Sequence, residues 1–143
     1  MRIALGSDHA GAELRLEIAA MLEEAGHDVD DLGCEPQQRV DYPKYAAAVA
    51  GAVVAGGADR GVLVCGTGIG MSIAANKVVG IRAALVHDVT TARLSSAHNN
   101  ANILCLGARV LGPTVARECV QAWLETPFEE RHQLRLDQIA AME

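Results

Sequence analysis

Cys65 ends a short apolar run, Val62-Leu63-Val64, and leads into Gly66-Thr67-Gly68-Ile69-Gly70 before a helical stretch through Met71-Ser72-Ile73-Ala74-Ala75. A strand that turns through glycines into a helix gathers backbone N–H groups around one point, where they bind an anion. A thiol at that point feels the field of the helix N-terminus, which favours its thiolate, so Cys65 is a candidate base or nucleophile. The spacing is not the dinucleotide fingerprint G-x-G-x-x-G, and it follows the third strand rather than the first. A second corner, Ser7-Asp8-His9-Ala10-Gly11, follows the opening apolar run. There Asp8 is either a helix cap or a ligand contact, and His9 either a surface residue or a site imidazole. Ala12-Glu13 stands where a Walker loop needs Lys-Ser/Thr.

Further candidates lie downstream. Tyr42, in Asp41-Tyr42-Pro43, is at a helix entrance, as a packing residue or as part of a pocket wall. The polar cluster His98-Asn99-Asn100-Ala101-Asn102 precedes a strand, and Gly107-Ala108-Arg109 follows it. Arg131 and Arg135 are four apart and share a helix face, where they pair with acidic neighbours or hold an anion.

Strands are expected at 2–6, 27–32, 62–64, 81–86 and 103–106. Leu14, Ile18, Met21, Leu22 and Ala25 recur at helical spacing, and Gly26 stops that helix. Further helices are expected at 44–55, after the glycine loop, at 90–97, at 115–124, and from Glu129 onward. Strict β-α alternation predicts a single three-layer α/β/α domain over residues 1–143. Its five-stranded parallel sheet is flavodoxin-like or Rossmann-like, with right-handed crossovers and one surplus C-terminal helix suited to a subunit interface. Pattern alone does not fix strand order, and 2-1-3-4-5 is the default for this length. Under it, one crevice at the carboxyl ends of the strands collects Asp8, His9, Cys65, the glycine loop, His98, Asn99 and Arg109.

Composition narrows the function. The chain has 143 residues, is 50% hydrophobic and only 3% aromatic, and carries a formal net charge of −6. Such an acid balance argues against general nucleic-acid binding, though a small phosphorylated ligand needs only a few local arginines. No apolar run approaches the ~20 residues that span a bilayer, and no signal peptide is expected before Asp8. Cys34, Cys65, Cys105 and Cys119 show no metal-ligand spacing, and a reducing cytoplasm is the expected compartment. All but Cys65 read as small buried hydrophobes. The residues gathered in the crevice suit proton transfer beside a carbonyl. A thiolate takes a proton from carbon, amides stabilise the resulting oxyanion, an imidazole moves oxygen protons, and arginines hold a phosphate. Neither cofactor nor metal is expected.

These residues carry a resemblance that extends over nearly the whole chain. Gly6-Ser7-Asp8-His9-Ala10-Gly11, Asp41-Tyr42-Pro43, the stretch from Cys65 to Lys77, Gly80-Ile81-Arg82-Ala83, His98-Asn99, Gly107-Ala108-Arg109 and Arg131-His132-Gln133-x-Arg135 together resemble the type B ribose-5-phosphate isomerases. That family also includes galactose-6-phosphate isomerase subunits. The resemblance implies that Cys65 shuttles a proton between C1 and C2, and that His98 opens the furanose ring. It implies that Gly66, Thr67, Gly68, Ile69 and Gly70 line the anion hole, with Thr67 relaying a proton. It places Asp8 and Asn99 on sugar hydroxyls, Tyr42 in the pocket wall, and His9 and Arg109 around ring and phosphate. It brings Arg131 and Arg135 from a partner subunit, in a homodimer or tetramer with shared sites. Some members use a nearby Glu as base, but Asn76-Lys77 supplies none here. Three rivals remain: the same chemistry on allose 6-phosphate, galactose 6-phosphate or a tetrose phosphate, a phosphate- or nucleotide-binding module, and an inactive subunit of a mixed oligomer.

Overall fold

The computed structural model describes all 143 residues. Five strands form one parallel sheet: β1 (Arg2–Ser7), β2 (Asp28–Asp31), β3 (Arg60–Cys65), β4 (Ala83–Leu85) and β5 (Ile103–Gly107). The helices are α1 (Ala12–Glu24), α2 (Pro43–Val54), α3 (Ile69–Ala75), α4 (Val89–Ala97), α5 (Pro113–Glu125) and α6 (Gln133–Ala140). A 3-10 turn at Glu130–His132 leads into the last of these. No helix is long and apolar enough to cross a membrane.

The sheet order is β2-β1-β3-β5-β4, which corrects the default order 2-1-3-4-5. After β3 the chain passes over one position, lays β4 at the edge, and returns to fill the gap with β5. Burial explains the exchange. All five residues of β5, Ile-Leu-Cys-Leu-Gly, are buried, whereas the three of β4, Ala-Ala-Leu, are half-buried. A segment apolar on both faces belongs inside a parallel sheet, and a short one suits its edge. The Asn76 side chain closes that edge, accepting from the Ala83 N–H at 2.8 Å and donating to the Ala83 carbonyl at 2.9 Å.

Right-handed crossovers in this order put α1, α4 and α5 on one face and α2 and α3 on the other. Strand side chains alternate accordingly. Ile3, Leu5, Val62, Val64, Leu104 and Leu106 pack with Leu14, Ile18, Leu22, Val120 and Trp123. Ala4, Leu63, Cys65, Ile103 and Cys105 pack with Val49, Ala50, Met71 and Ala75. Cys65 is thereby aimed at the α2/α3 face. α2 sits close to the sheet because glycines lie beneath it: a Cβ on Gly61 would fall 2.6 Å from Val49 Cγ1 and 3.1 Å from Ile103 Cγ1. Valine is stiff at χ1 and cannot swing aside. Gly61→Ala is therefore expected to cost about 1–3 kcal/mol, read as a lower urea midpoint at unchanged slope.

Candidate active site

Three strand ends, those of β1, β3 and β5, carry the candidate site at the carboxyl edge of the sheet. The Cys65 thiol is 5% exposed, and its Sγ accepts from the Gly68 N–H at 3.1 Å. Gly68 has φ +77°, a left-handed conformation, and a Cβ there would lie 2.5 Å from Leu85 Cδ1 and 3.0 Å from the Leu106 carbonyl carbon. Glycine alone fits both demands. Thr67 is exposed beside it, with Oγ1 accepting from the Ile69 N–H at 3.3 Å. The space above Gly70 is filled by the Tyr42 ring, whose hydroxyl oxygen lies 2.8 Å from where a Cβ would stand. Over Gly66 lies the Arg109 side chain, Nη1 3.4 Å from the corresponding position, and the Arg109 N–H donates to the Gly66 carbonyl at 2.9 Å. Tyr42 and Arg109 thus wall the loop on two sides.

At the neighbouring β1 corner, Asp8 Oδ1 accepts from the Ala10 and Gly11 N–H groups at 3.0 and 3.1 Å, so one oxygen caps the turn into α1. His9 Nδ1 accepts from the Val40 N–H at 3.4 Å, which leaves the ring proton of the neutral imidazole on Nε2. Sequence reasoning missed the residue that ties this corner down. Arg15 is buried and donates to Ser7 Oγ at 3.0 Å and to the Cys34 carbonyl at 2.8 Å, and its Nε faces Asp31 Oδ1 at 3.0 Å. It fastens the β2–α2 loop, which carries Val40 and ends at Tyr42, to the end of β1. A signal was present, because Arg15 falls at helical spacing with the buried Ile18, Ala19 and Leu22.

His98 and Asn99 are not in this crevice. They follow α4 and precede β5, and a crossover helix that starts at the carboxyl edge of a parallel sheet ends at the opposite edge. β3 and β5 are paired from Gly61↔Ile103 to Cys65↔Gly107, and these four steps separate the two edges by about 13 Å. His98 lies on the far side of that span from Cys65. Asn99 lines a cavity of about 240 Å³ with Arg82, Ala83 and Ile139, on the outer side of β4. α5 ends at the same edge, so Arg131 and Arg135 join His98 there. The Glu129 N–H donates to the Ala97 carbonyl at 2.8 Å, the His98 and His132 ring centroids are 4.4 Å apart, and Arg135 Nη1 reaches His132 Nδ1 at 2.7 Å. Arg131 is exposed and held by Glu129 at 2.7 Å through Nε, a bond that keeps the Glu129 carboxyl below its usual range. The candidate residues therefore form two groups at opposite edges, and none of the four cavities of the single chain is lined by Cys65.

His98, Glu129 and His132 place their ligand-type atoms within 4.8 Å of one another, yet their chemistry does not suit a metal. A ligating histidine donates its second ring N–H to an acceptor, whereas the second nitrogen of His132 faces a guanidinium, which only donates. The other cysteines behave as packing groups. Burial raises the Cys34 and Cys105 thiols and pushes Cys119 up to about 11.

An open parallel sheet with a thiol and a walled glycine loop at its carboxyl edge defines an α/β enzyme rather than a dinucleotide carrier. Residues 3–139 match the model of the Ribose/Galactose Isomerase family, and the chain belongs to that family. It is 48% identical over 143 residues to ribose-5-phosphate isomerase B of Escherichia coli (strain K12), covering 99% of this chain and 96% of that protein. It is 45% identical over 130 residues to D-erythrulose-4-phosphate isomerase of Pectobacterium atrosepticum, covering 90% and 86%. Ribose-5-phosphate isomerase B of Clostridium thermocellum has the same fold, with a TM-score of 0.97 at 48% identity over 99% of this chain and 97% of that one. The protein is an isomerase of this family.

Proposed function

We propose that the protein interconverts ribose 5-phosphate and ribulose 5-phosphate through a cis-enediolate, in sites shared between two copies of the chain. The carrying observation is the Cys65 thiol, held by the Gly68 N–H inside a loop walled by Tyr42 and Arg109. In this reading His98 moves the proton from the O1 hydroxyl to the ring oxygen, which opens the furanose and exposes the C1 carbonyl. Cys65 takes the proton from C2, negative charge collects on O1, and the amides of Gly66 to Gly70 stabilise it. The proton returns from Cys65 to C1, and Thr67 helps to move the O2 proton that completes the ketose. Asp8 and Asn99 bind sugar hydroxyls, while His9, Arg109, Arg131 and Arg135 take the phosphate and orient the reacting carbons.

The opposite placement of the two residue groups supports a shared site. One edge of the chain carries the base without the ring-opening imidazole, and the other carries the imidazole and two arginines without the base. Exposed apolar residues accompany both. Ile69 and Ile73 occupy one face of α3 beside the glycine loop, with Ile73 59% exposed, and Leu134, between the two arginines, is 69% exposed. In a two-fold dimer such patches cover each other, so the partner's His98, Asn99, Arg131 and Arg135 complete the site around Cys65. Four free cysteines fit a reducing cytoplasm.

A substrate panel tests the activity. The purified protein is expected to show its highest kcat/KM on ribose 5-phosphate, with tetrose 4-phosphates and hexose 6-phosphates lower, because the phosphate must span a fixed distance from the reacting carbons. A higher kcat/KM on another sugar phosphate would keep the chemistry and change the substrate. Turnover of none would remove the reading.

A further inference from the structure

His132 is the only buried histidine of the chain, 4% exposed, and the proposed mechanism gives it no task. Its ring stands 4.4 Å from that of His98, tilted by 42°. Its Nδ1 lies 2.7 Å from Arg135 Nη1. A guanidinium only donates, so Nδ1 accepts and the ring proton sits on Nε2. Burial, with the positive charges of Arg131, His98 and Arg135, holds its pKa below the ordinary histidine value. The Nε2–H is buried and unpartnered. The facing carboxylate, Glu129 Oε2, is 3.6 Å away and already holds Arg131. A buried donor without an acceptor destabilises a fold, and an apolar ring of the same size would avoid the cost. Stability therefore does not account for an imidazole at this position.

We propose that His132 is a positioning residue that joins the ring-opening imidazole and the phosphate clamp into one rigid unit. This rests on the roles given to His98 and Arg135 under the proposed function. Through Nδ1 it fixes the direction of the Arg135 guanidinium, and through its face it fixes the rotamer of His98.

Two variants separate the two contacts. His132→Phe keeps the face and loses the acceptor, whereas His132→Gln keeps an acceptor for Arg135 and loses the face. The readouts are steady-state conversion of ribose 5-phosphate and, in D2O, exchange of the C1 hydrogen of ribulose 5-phosphate. The exchange needs Cys65 but no ring opening. His132→Phe is expected to raise KM about tenfold with kcat within about threefold. His132→Gln is expected to lower kcat for ribose 5-phosphate about tenfold, while C1 exchange at saturating ketose stays within about threefold. A merely structural residue would lower conversion and exchange together in both variants, in step with thermal stability, and that result overturns the proposal. So does either variant behaving as the wild type. Wild-type protein lacking both conversion and exchange would remove the isomerase reading instead, and the proposal with it.

Discussion

Cys65→Ser is expected to lower kcat for ribose 5-phosphate about 10³-fold, with KM within a few-fold of the wild type. A positioned general base contributes typically 10²–10⁴-fold, and a serine hydroxyl does not ionise near neutral pH. The substitution is otherwise conservative. Serine nearly matches cysteine in size, and its oxygen accepts from the Gly68 N–H in the place of Sγ. The residues proposed to hold the phosphate are unchanged, so the loss is expected in the chemical step rather than in binding. Steady-state kinetics measure the loss, and C1 exchange in D2O shows whether it lies at carbon, since exchange and conversion must fall together. A kcat within tenfold of wild type would assign the base to another group. Cys105→Ser is the matched control. Its thiol faces the same side of the sheet but is fully buried and, with its pKa pushed up, cannot serve as a base. Its effect belongs in the unfolding curve and not in kcat.

Much of this architecture is legible in the sequence because single local signals decide it. Val62-Leu63-Val64 followed by three alternate glycines and an alanine-rich helix admits one local structure, and the loop forms as expected, with a left-handed glycine at Gly68. Pro43 opens α2 and Gly26, at φ +83°, ends the turn after α1. Strand order is harder, because it depends on which of two neighbouring apolar segments is buried on both sides. Ile103-Leu104-Cys105-Leu106 is apolar throughout and lies inside the sheet, whereas the stretch 81–86, expected as a longer strand, pairs only over Ala83–Leu85 and lies at the edge. The placement of His98 fails for a different reason. Composition marks His98-Asn99 as chemistry, but its position before β5 puts it at the amino edge whatever the strand order, since each crossover helix carries the chain back across the sheet. Arg15 is the converse case. A charged residue in the buried stripe of α1 is visible in the pattern, but its partners, Ser7, Cys34 and Asp31, come together only in three dimensions.

The two-edge arrangement makes a second, sharper expectation possible. Residues of the carboxyl-edge group (Asp8, His9, Tyr42, Cys65 and Arg109) should complement defects in the amino-edge group (His98, Asn99, Arg131 and Arg135), and no complementation should occur within a group. Consider inactive Cys65→Ser and Arg135→Ala proteins unfolded together and refolded at equal amounts. If subunits pair at random, half of the dimers are mixed, and each mixed dimer has one site with both lesions and one with none. Activity should then recover to roughly a quarter of wild type. Cys65→Ser mixed with His98→Asn should recover equally, because His98 shares an edge with Arg135. His98→Asn mixed with Arg135→Ala should stay inactive, since every site of the mixed dimer carries one lesion or the other. Sites contained within single chains would recover in none of the three mixtures. A site that took only Arg131 and Arg135 from the partner, with His98 beside its own Cys65, would reverse the last two results. The three mixtures thus distinguish the arrangements by pattern rather than by size of effect, and the pattern follows from where each residue stands relative to the ends of β3 and β5.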